Sequence, residues 1–270
     1  MSIDPTARVD AAAELDSSVE VGPGCIIEPG VRIEAGTKLW PNVYVASGTT
    51  IGRENEIHMG CVIGHAPQDL AYDGSPTRTV IGDRNVIREH STIHRASRPD
   101  GETKIGSSNF FMVNTHVAHD AIVGNNVIIA NNSCLAGHAV VDDGAFLSST
   151  VLVHQFCRVG RLCMVAPFST VLQDFPPFSL GGGRRAQVHG LNVVGMRRAG
   201  LDNDTRGRIQ RDQRLLYRSE LNTTEAIEQM RREPSPETLE LIAFIEDSRR
   251  GIASFGPAER DANDSEDHVG

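Results

Sequence analysis

Four histidines, a carboxylate and a glycine gather around one 18-residue interval. His119 is followed by Gly137 and then Gln155, each 18 residues on; Asp120 comes directly after His119, and His116 three residues before it. His138 and His154 each stand one residue off that series. These types suit base catalysis. An imidazole titrates near neutral pH and can take a proton from a hydroxyl. A carboxylate beside it fixes one tautomer and steadies the charged ring. A glycine leaves its backbone N–H uncovered, a donor for an oxygen that becomes negative. Brought together, the three make an acyl-transfer centre that needs no serine nucleophile. No GxSxG elbow or Walker loop occurs.

Such residues meet only in a fold that repeats every 18 residues, and the chain has one. Counting from Ile3 to Val171 in steps of six gives 29 positions, of which 26 hold Ile, Leu, Val or Phe. Neither a helical period of 3.6 nor a strand period of 2 produces this. A small or β-branched residue stands four places after each aliphatic, as at Ala7, Ala13, Val19, Cys25 and Val31. The pattern is a hexapeptide repeat, and three hexads make one coil of a solenoid. The aliphatics fill a narrow prism, each contributing roughly 1.5–3 kcal/mol gross on burial. A ligand must therefore bind outside, in a groove walled by loops or by a neighbouring subunit.

The misses in the count are Asp69, Ser75 and Pro99. They predict loops at 64–80 and 95–104, both leaving the solenoid in register. The β-helix domain spans 1–172, a helical C-terminal domain 173–255, and an acidic, disordered tail 256–270. Helices are expected near Asn192–Ala199, Asp202–Ser219, Thr224–Arg232 and Pro236–Arg249, with a Gly-rich turn at 181–183 before them. The net charge of −9 argues against general nucleic-acid binding. No apolar run is long enough to span a membrane, and no signal peptide is visible at MSIDPTARVD. Cys25, Cys61, Cys157 and Cys163 fall on inward small positions, which suits reduced core thiols and a cytoplasmic setting.

The segments PQDLAY (67–72), IGDRN (81–85), IREHSTIHR (87–95), NTHVAHD (114–120), ANNSCLAGH (130–138), VHQF (153–156) and LLYRS (215–219) resemble the UDP-N-acetylglucosamine O-acyltransferase family over nearly the whole chain. The resemblance implies a mainly β fold, a left-handed parallel β-helix followed by a small α-helical domain, assembled as a homotrimer. It implies transfer of a 3-hydroxyacyl group from acyl carrier protein to the 3-hydroxyl of a UDP-sugar, with no cofactor or metal. His119 matches the family's general base, Asp120 its partner and Gly137 the oxyanion amide. Asp69, His94, His116, His138, His154 and Gln155 match substrate-binding positions, and Asn192 and Arg198 match nucleotide-side contacts.

The chain departs from the family pattern in four places. Ala71 stands where a lysine is usual, Ala96–Ser97 replace a Gly-Thr start, and Val194 replaces an acid. Pro167 and Phe168 occupy the acyl-chain ruler, where a glycine permits a long chain; their bulk predicts a shorter acyl group. Ala71 leaves a 3-amino sugar open as the acceptor, and a silent UDP-sugar or carrier-binding paralogue is the alternative from another class. A zinc enzyme of the γ-carbonic anhydrase kind is a further alternative; His116 and His119, three apart on an extended strand, would point to opposite sides. Nine arginines between Arg184 and Arg218 suit an acidic carrier protein.

Overall fold

Strands Ser2–Ile3, Arg8–Val9 and Glu14–Leu15 form the first coil, one on each side of a triangular prism. The computed structural model describes residues 2–256, so all but Gly256 of the expected acidic tail lies outside the described residues. Successive coils stack in parallel with an 18-residue register, Ile3 beside Val21 and Val9 beside Ile27. The first face has eleven strands, the second nine and the third eight.

The hexad dictates each step. In the two-residue strands the second residue points inward, and Ile27, Ile33, Leu39, Ile51 and Ile57 are fully buried. A two-residue turn follows; from the second coil onward its second residue is in the left-handed region, as Gly24, Gly30, Asn42, Asn114 and Asn132 are. Glycine enters that region freely, and asparagine tolerates it better than most residues. The small residue then turns inward; Cys25, Cys61, Cys157 and Cys163 are buried there, while Cys134 faces outward. In the middle coils the small position between the third and first faces is polar, at Thr37, Asn55, Asn85 and Asn109. Asn55 Oδ1 accepts the Asn85 N–H (2.9 Å), Asn85 Oδ1 that of Asn109 (3.0 Å), and Asn109 Oδ1 that of Val127 (2.7 Å). The ladder satisfies buried backbone donors that an aliphatic would leave to water.

Both insertions leave from the corner between the second and third faces. The loops are shorter than expected, 66–77 and 95–101, because the flanking strands lengthen to four residues in Val62–His65, Arg78–Ile81 and Glu102–Ile105. A second correction concerns the Gly-rich segment. It is no simple turn: Ser179–Gly182 adds to the first face beside Met164–Val165 and pairs antiparallel with Gln187–Leu191. Gly181 is required there, since a Cβ would collide with the Gln187 carbonyl.

Four helices follow: α1 (Val193–Arg198), α2 (Asn203–Tyr217), α3 (Thr223–Met230) and α4 (Pro236–Glu246). Each begins at a side-chain cap, from Asn192, Asp202, Asn222 and Ser235 in turn, which explains why their starts were legible. Ala226, Met230, Leu241 and Ile242 give these helices a core of their own. Arg161 clamps α4 to the solenoid through two-pronged bonds to Glu240 (2.8–3.1 Å), and Arg158 lies over the Phe244 ring.

Candidate active site

The strand His116–Val117 ends on the second face and Ile122–Val123 begins on the third, so residues 118–121 form the corner. His119 is the first turn residue, not a strand residue; the expectation of one extended run from His116 to His119 is corrected. Asp120 follows in the left-handed region (φ 58°), and its N–H donates to Thr103 Oγ1 (2.8 Å). That bend turns its carboxylate back to the imidazole, and His119 Nδ1 and Asp120 Oδ2 lie 2.7 Å apart. With Nδ1 so engaged, Nε2 is the free nitrogen of the ring. His119 is only 8% exposed.

One coil on, Gly137 packs against the flat of that ring. A Cβ on Gly137 would fall 2.5 Å from Cε1 and 2.6 Å from Nε2 of His119. The glycine is therefore needed for space. That N–H has no hydrogen-bond partner among the described residues, whereas the neighbouring His138 N–H donates to the His119 carbonyl (3.0 Å). Imidazole, carboxylate and open amide thus meet at one ridge.

The histidines divide into two groups. His138 lies edge-on to His119 (5.4 Å between ring centres), stacks on Phe156 (4.6 Å) and brings Nε2 to 3.7 Å from Asp120. Lower on the second face, His94 meets His116 edge-on at 4.8 Å, and His116 Nδ1 bonds Thr92 Oγ1 (2.6 Å). Burial pushes His94 down to about 4, helped by the charges that His116, His65 and His119 can carry. Burial also lowers His116, and lowers His138 against the pull of Asp120. For Asp120 burial acts upward, but the hydrogen bonds from His119 and Ser97 outweigh it and hold the carboxyl low. The arrangement is one ionised carboxylate set among imidazoles. Such a set can take a proton at Nε2 and hold the resulting charge.

Comparison with known proteins assigns the chain. The family model described as UDP N-acetylglucosamine O-acyltransferase, domain 2, matches residues 174–253, and the bacterial transferase hexapeptide model matches 30–65 and 102–137. Relatives named acyl-[acyl-carrier-protein]–UDP-N-acetylglucosamine O-acyltransferase include one from Thermodesulfovibrio yellowstonii, 44% identical over 80% of this chain and 85% of its own. Another, from an Anaeromyxobacter species, is 41% identical over 77% of this chain and 82% of its own. The chain belongs to the UDP-N-acetylglucosamine O-acyltransferase family. Solved family structures superpose closely. The Acinetobacter baumannii protein has a TM-score of 0.90 at 41% identity, covering 93% of this chain and 99% of that one. The Bacteroides fragilis acyltransferase gives the same score and coverage at 38% identity. The mainly β fold, a left-handed parallel β-helix followed by a few helices, is the architecture of this family.

Against that family background, the remaining expected site residues fall in three places. Asp69, in the first loop, sits beside the histidine ridge; the Ala71 N–H (2.9 Å) is the main influence holding its carboxyl low, with Ser97 and His119 adding to it. His154 and Gln155 continue the ridge by one coil, His154 Nδ1 lying 3.0 Å from the Gln155 carbonyl. Asn192 and Arg198 are elsewhere. They line an apolar cavity of about 660 Å³ between α1 and the first face, with Ile128, Phe146, Met164 and Val194. Asn192 also serves the fold, because its Oδ1 caps α1 and its Nδ2 donates to the Leu162 carbonyl (2.9 Å). Pro167 and Phe168 project from a third place, the corner between the first and second faces, where Phe168 is 74% exposed.

Ring nitrogens and a carboxylate oxygen of His119, Asp120 and His138 lie within 4.8 Å of one another, close enough to share a cation. His119 Nδ1 and Asp120 Oδ2 already bond each other, an arrangement suited to a base and its orienter. Sequence reasoning passed over His65, Phe156 and Ser97 as site residues. His65 comes opposite His94 only because the strand register shifts after Ile63. Ser97 lies in a loop with no period to place it. Phe156 was in view within HQF, but its stacking on His138 follows from the 18-residue step alone.

Proposed function

We propose that the chain transfers a 3-hydroxyacyl group from acyl carrier protein to the 3-hydroxyl of UDP-N-acetylglucosamine, the reaction that opens lipid A synthesis. The observation that carries this reading is the contact of the His119 ring with both Asp120 Oδ2 and Gly137, in a chain of this family. His119 Nε2 takes the proton as the sugar oxygen attacks the thioester carbonyl. The Gly137 N–H receives the oxyanion that forms. Collapse breaks the carbon–sulfur bond, and the departing thiolate recovers the proton from the imidazolium that Asp120 has steadied. No covalent enzyme intermediate is needed.

The full site needs more than one copy. The histidine ridge, the α1 cavity and the Pro167–Phe168 corner occupy separate sides of the prism. A homotrimer in which each ridge faces the next copy's α1 cavity would give three equal grooves, with Asn192 and Arg198 at the nucleotide end. His94, His116, His138, His154, Gln155 and Asp69 then line the sugar and acyl path. Pro167 and Phe168 crowd the far end and favour a shorter acyl chain. Arg184 and Arg185, exposed at the hairpin tip and without an ion-pair partner among the described residues, face an acidic carrier protein. No helix among the described residues is long and apolar enough to cross a membrane, and with soluble substrates the reaction belongs in the cytoplasm.

Mass spectrometry of products, after incubation with a panel of acyl carriers and UDP-sugars, tests the reading. An ester at the 3-oxygen of UDP-N-acetylglucosamine is expected. An amide formed only on a 3-amino sugar would replace the acceptor, and no product with any pair would leave a binding role alone.

A further inference from the structure

We propose that Ser97 is a positioning residue for the His119–Asp120 pair, reaching it from the second loop. Three donors converge on one oxygen. Asp120 Oδ2 lies 2.7 Å from His119 Nδ1, 2.8 Å from the Ser97 hydroxyl and 3.1 Å from the Ser97 N–H. The loop that carries Ser97 is itself anchored. Arg95 Nε donates to the Gly64 carbonyl (2.7 Å), the Ala96 N–H donates to the Arg78 carbonyl (3.3 Å), and Ala96 is fully buried. A short segment pinned at its base thus holds one hydroxyl against the carboxylate.

The physical consequence has two parts. Asp120 is fixed at its backbone through Thr103, but its carboxyl could still swing toward His138, whose Nε2 is 3.7 Å away. Ser97 holds Oδ2 on the His119 side. A donor at Oδ2 also draws charge away from the bond to Nδ1, so the ring is held less tightly in its protonated form. Ser97 touches neither reacting atom in this scheme; it acts through Asp120. Ser97 also helps to hold the Asp69 carboxyl of the first loop low, so the hydroxyl lies near both acids of the site.

The inference rests on His119 being the base, and the experiment separates the two claims. In the full-length protein, kcat, KM for each substrate and the pH profile of kcat/KM are measured for Ser97→Ala and Ser97→Thr, with thermal melts as the folding control. In a parallel arm without substrate, NMR follows the His119 ring protons against pH. Ser97→Ala should lower kcat about tenfold, the loss of one charge-assisted hydrogen bond, with both KM values within about twofold. The acid limb of its profile and the NMR titration should both move to higher pH, by about half a unit. Ser97→Thr, which keeps the hydroxyl, should restore both. An unchanged kcat and acid limb in Ser97→Ala would overturn the proposal, and so would a rise in KM alone, the mark of a loop strut. If His119→Ala retained turnover, the base reading would fall, while the NMR arm would still decide whether Ser97 acts on the pair.

Discussion

The corner between the second and third faces is built twice over, once without chemistry and once with it. In the first three coils its first turn residue is Ala11, Pro29 and Ser47, and its second is Ala12, Gly30 and Gly48. In the later coils the same two positions hold His119, Gly137 and Gln155, then Asp120, His138 and Phe156. The backbone is shared from the second coil onward, a two-residue turn whose second member is left-handed, whereas Ala12 of the first coil is not. An acid is present in both as well. Asp10 precedes its turn, and its Oδ1 accepts the Ala12 N–H (2.8 Å), capping the local bend. Asp120 comes two places later in the turn, and its oxygen reaches an imidazole and a loop instead. A two-residue shift converts a turn cap into the partner of a base.

The solenoid thus separates structure from chemistry by direction. Inward positions carry the stability and are interchangeable between coils, while outward corner positions are free to vary. Glycine has a different duty in each half. At Gly137 the ring of His119 occupies the space of a Cβ, and the backbone is not left-handed. Alanine there should fold but push the imidazole off Asp120, and kcat should fall at least about 100-fold. At Gly30 the φ is 71° and the Cβ space is open. Alanine there should cost about 1 kcal/mol of stability and leave kcat unchanged. Steady-state kinetics and denaturant melts on the two variants check both halves; equal behaviour would erase the distinction.

A smaller effect is expected at the corner that holds Phe168. Replacing Pro167 with Gly and Phe168 with Ala should move the preferred acyl chain toward greater length, read by competition among a series of acyl-carrier thioesters. An unchanged preference would remove these residues from the chain-length role. A further effect, on stability alone, lies away from the site, under α4. Burial pushes the Asp142 carboxyl up to about 6, against the pull of Arg158. A carboxyl raised on folding favours the native state while protonated, and that advantage is lost as pH rises from about 4 through 6. Asp142→Asn should therefore gain on the order of 2 kcal/mol at pH 7.5 and almost nothing at pH 4.5, measured by denaturant unfolding at both.

Much of this was legible in the sequence, for reasons that particular residues make plain. The count from Ile3 to Val171 gives the coil, and the coil alone puts Gly137 over His119. The start of α4 was readable because Ser235 with Pro236 is a local signal. The strand at Ser179–Gly182 was not, since three glycines carry no period and the pairing partner at Gln187–Leu191 lies across a hairpin. Ser97 was equally hidden, because its contact depends on how a loop returns rather than on a repeat. The separation of Arg198 from the histidines was missed because its place follows from where α1 docks on the first face.

The most direct test of the central claim is the single-turnover rate of His119→Ala with acyl carrier substrate and UDP-N-acetylglucosamine, alongside calorimetric binding of the UDP-sugar. The rate should fall about 1,000-fold or more, with the affinity within about threefold of the parent. A rate within tenfold of the parent would mean that the ridge of His119, Asp120 and Gly137 is not where the acyl group moves.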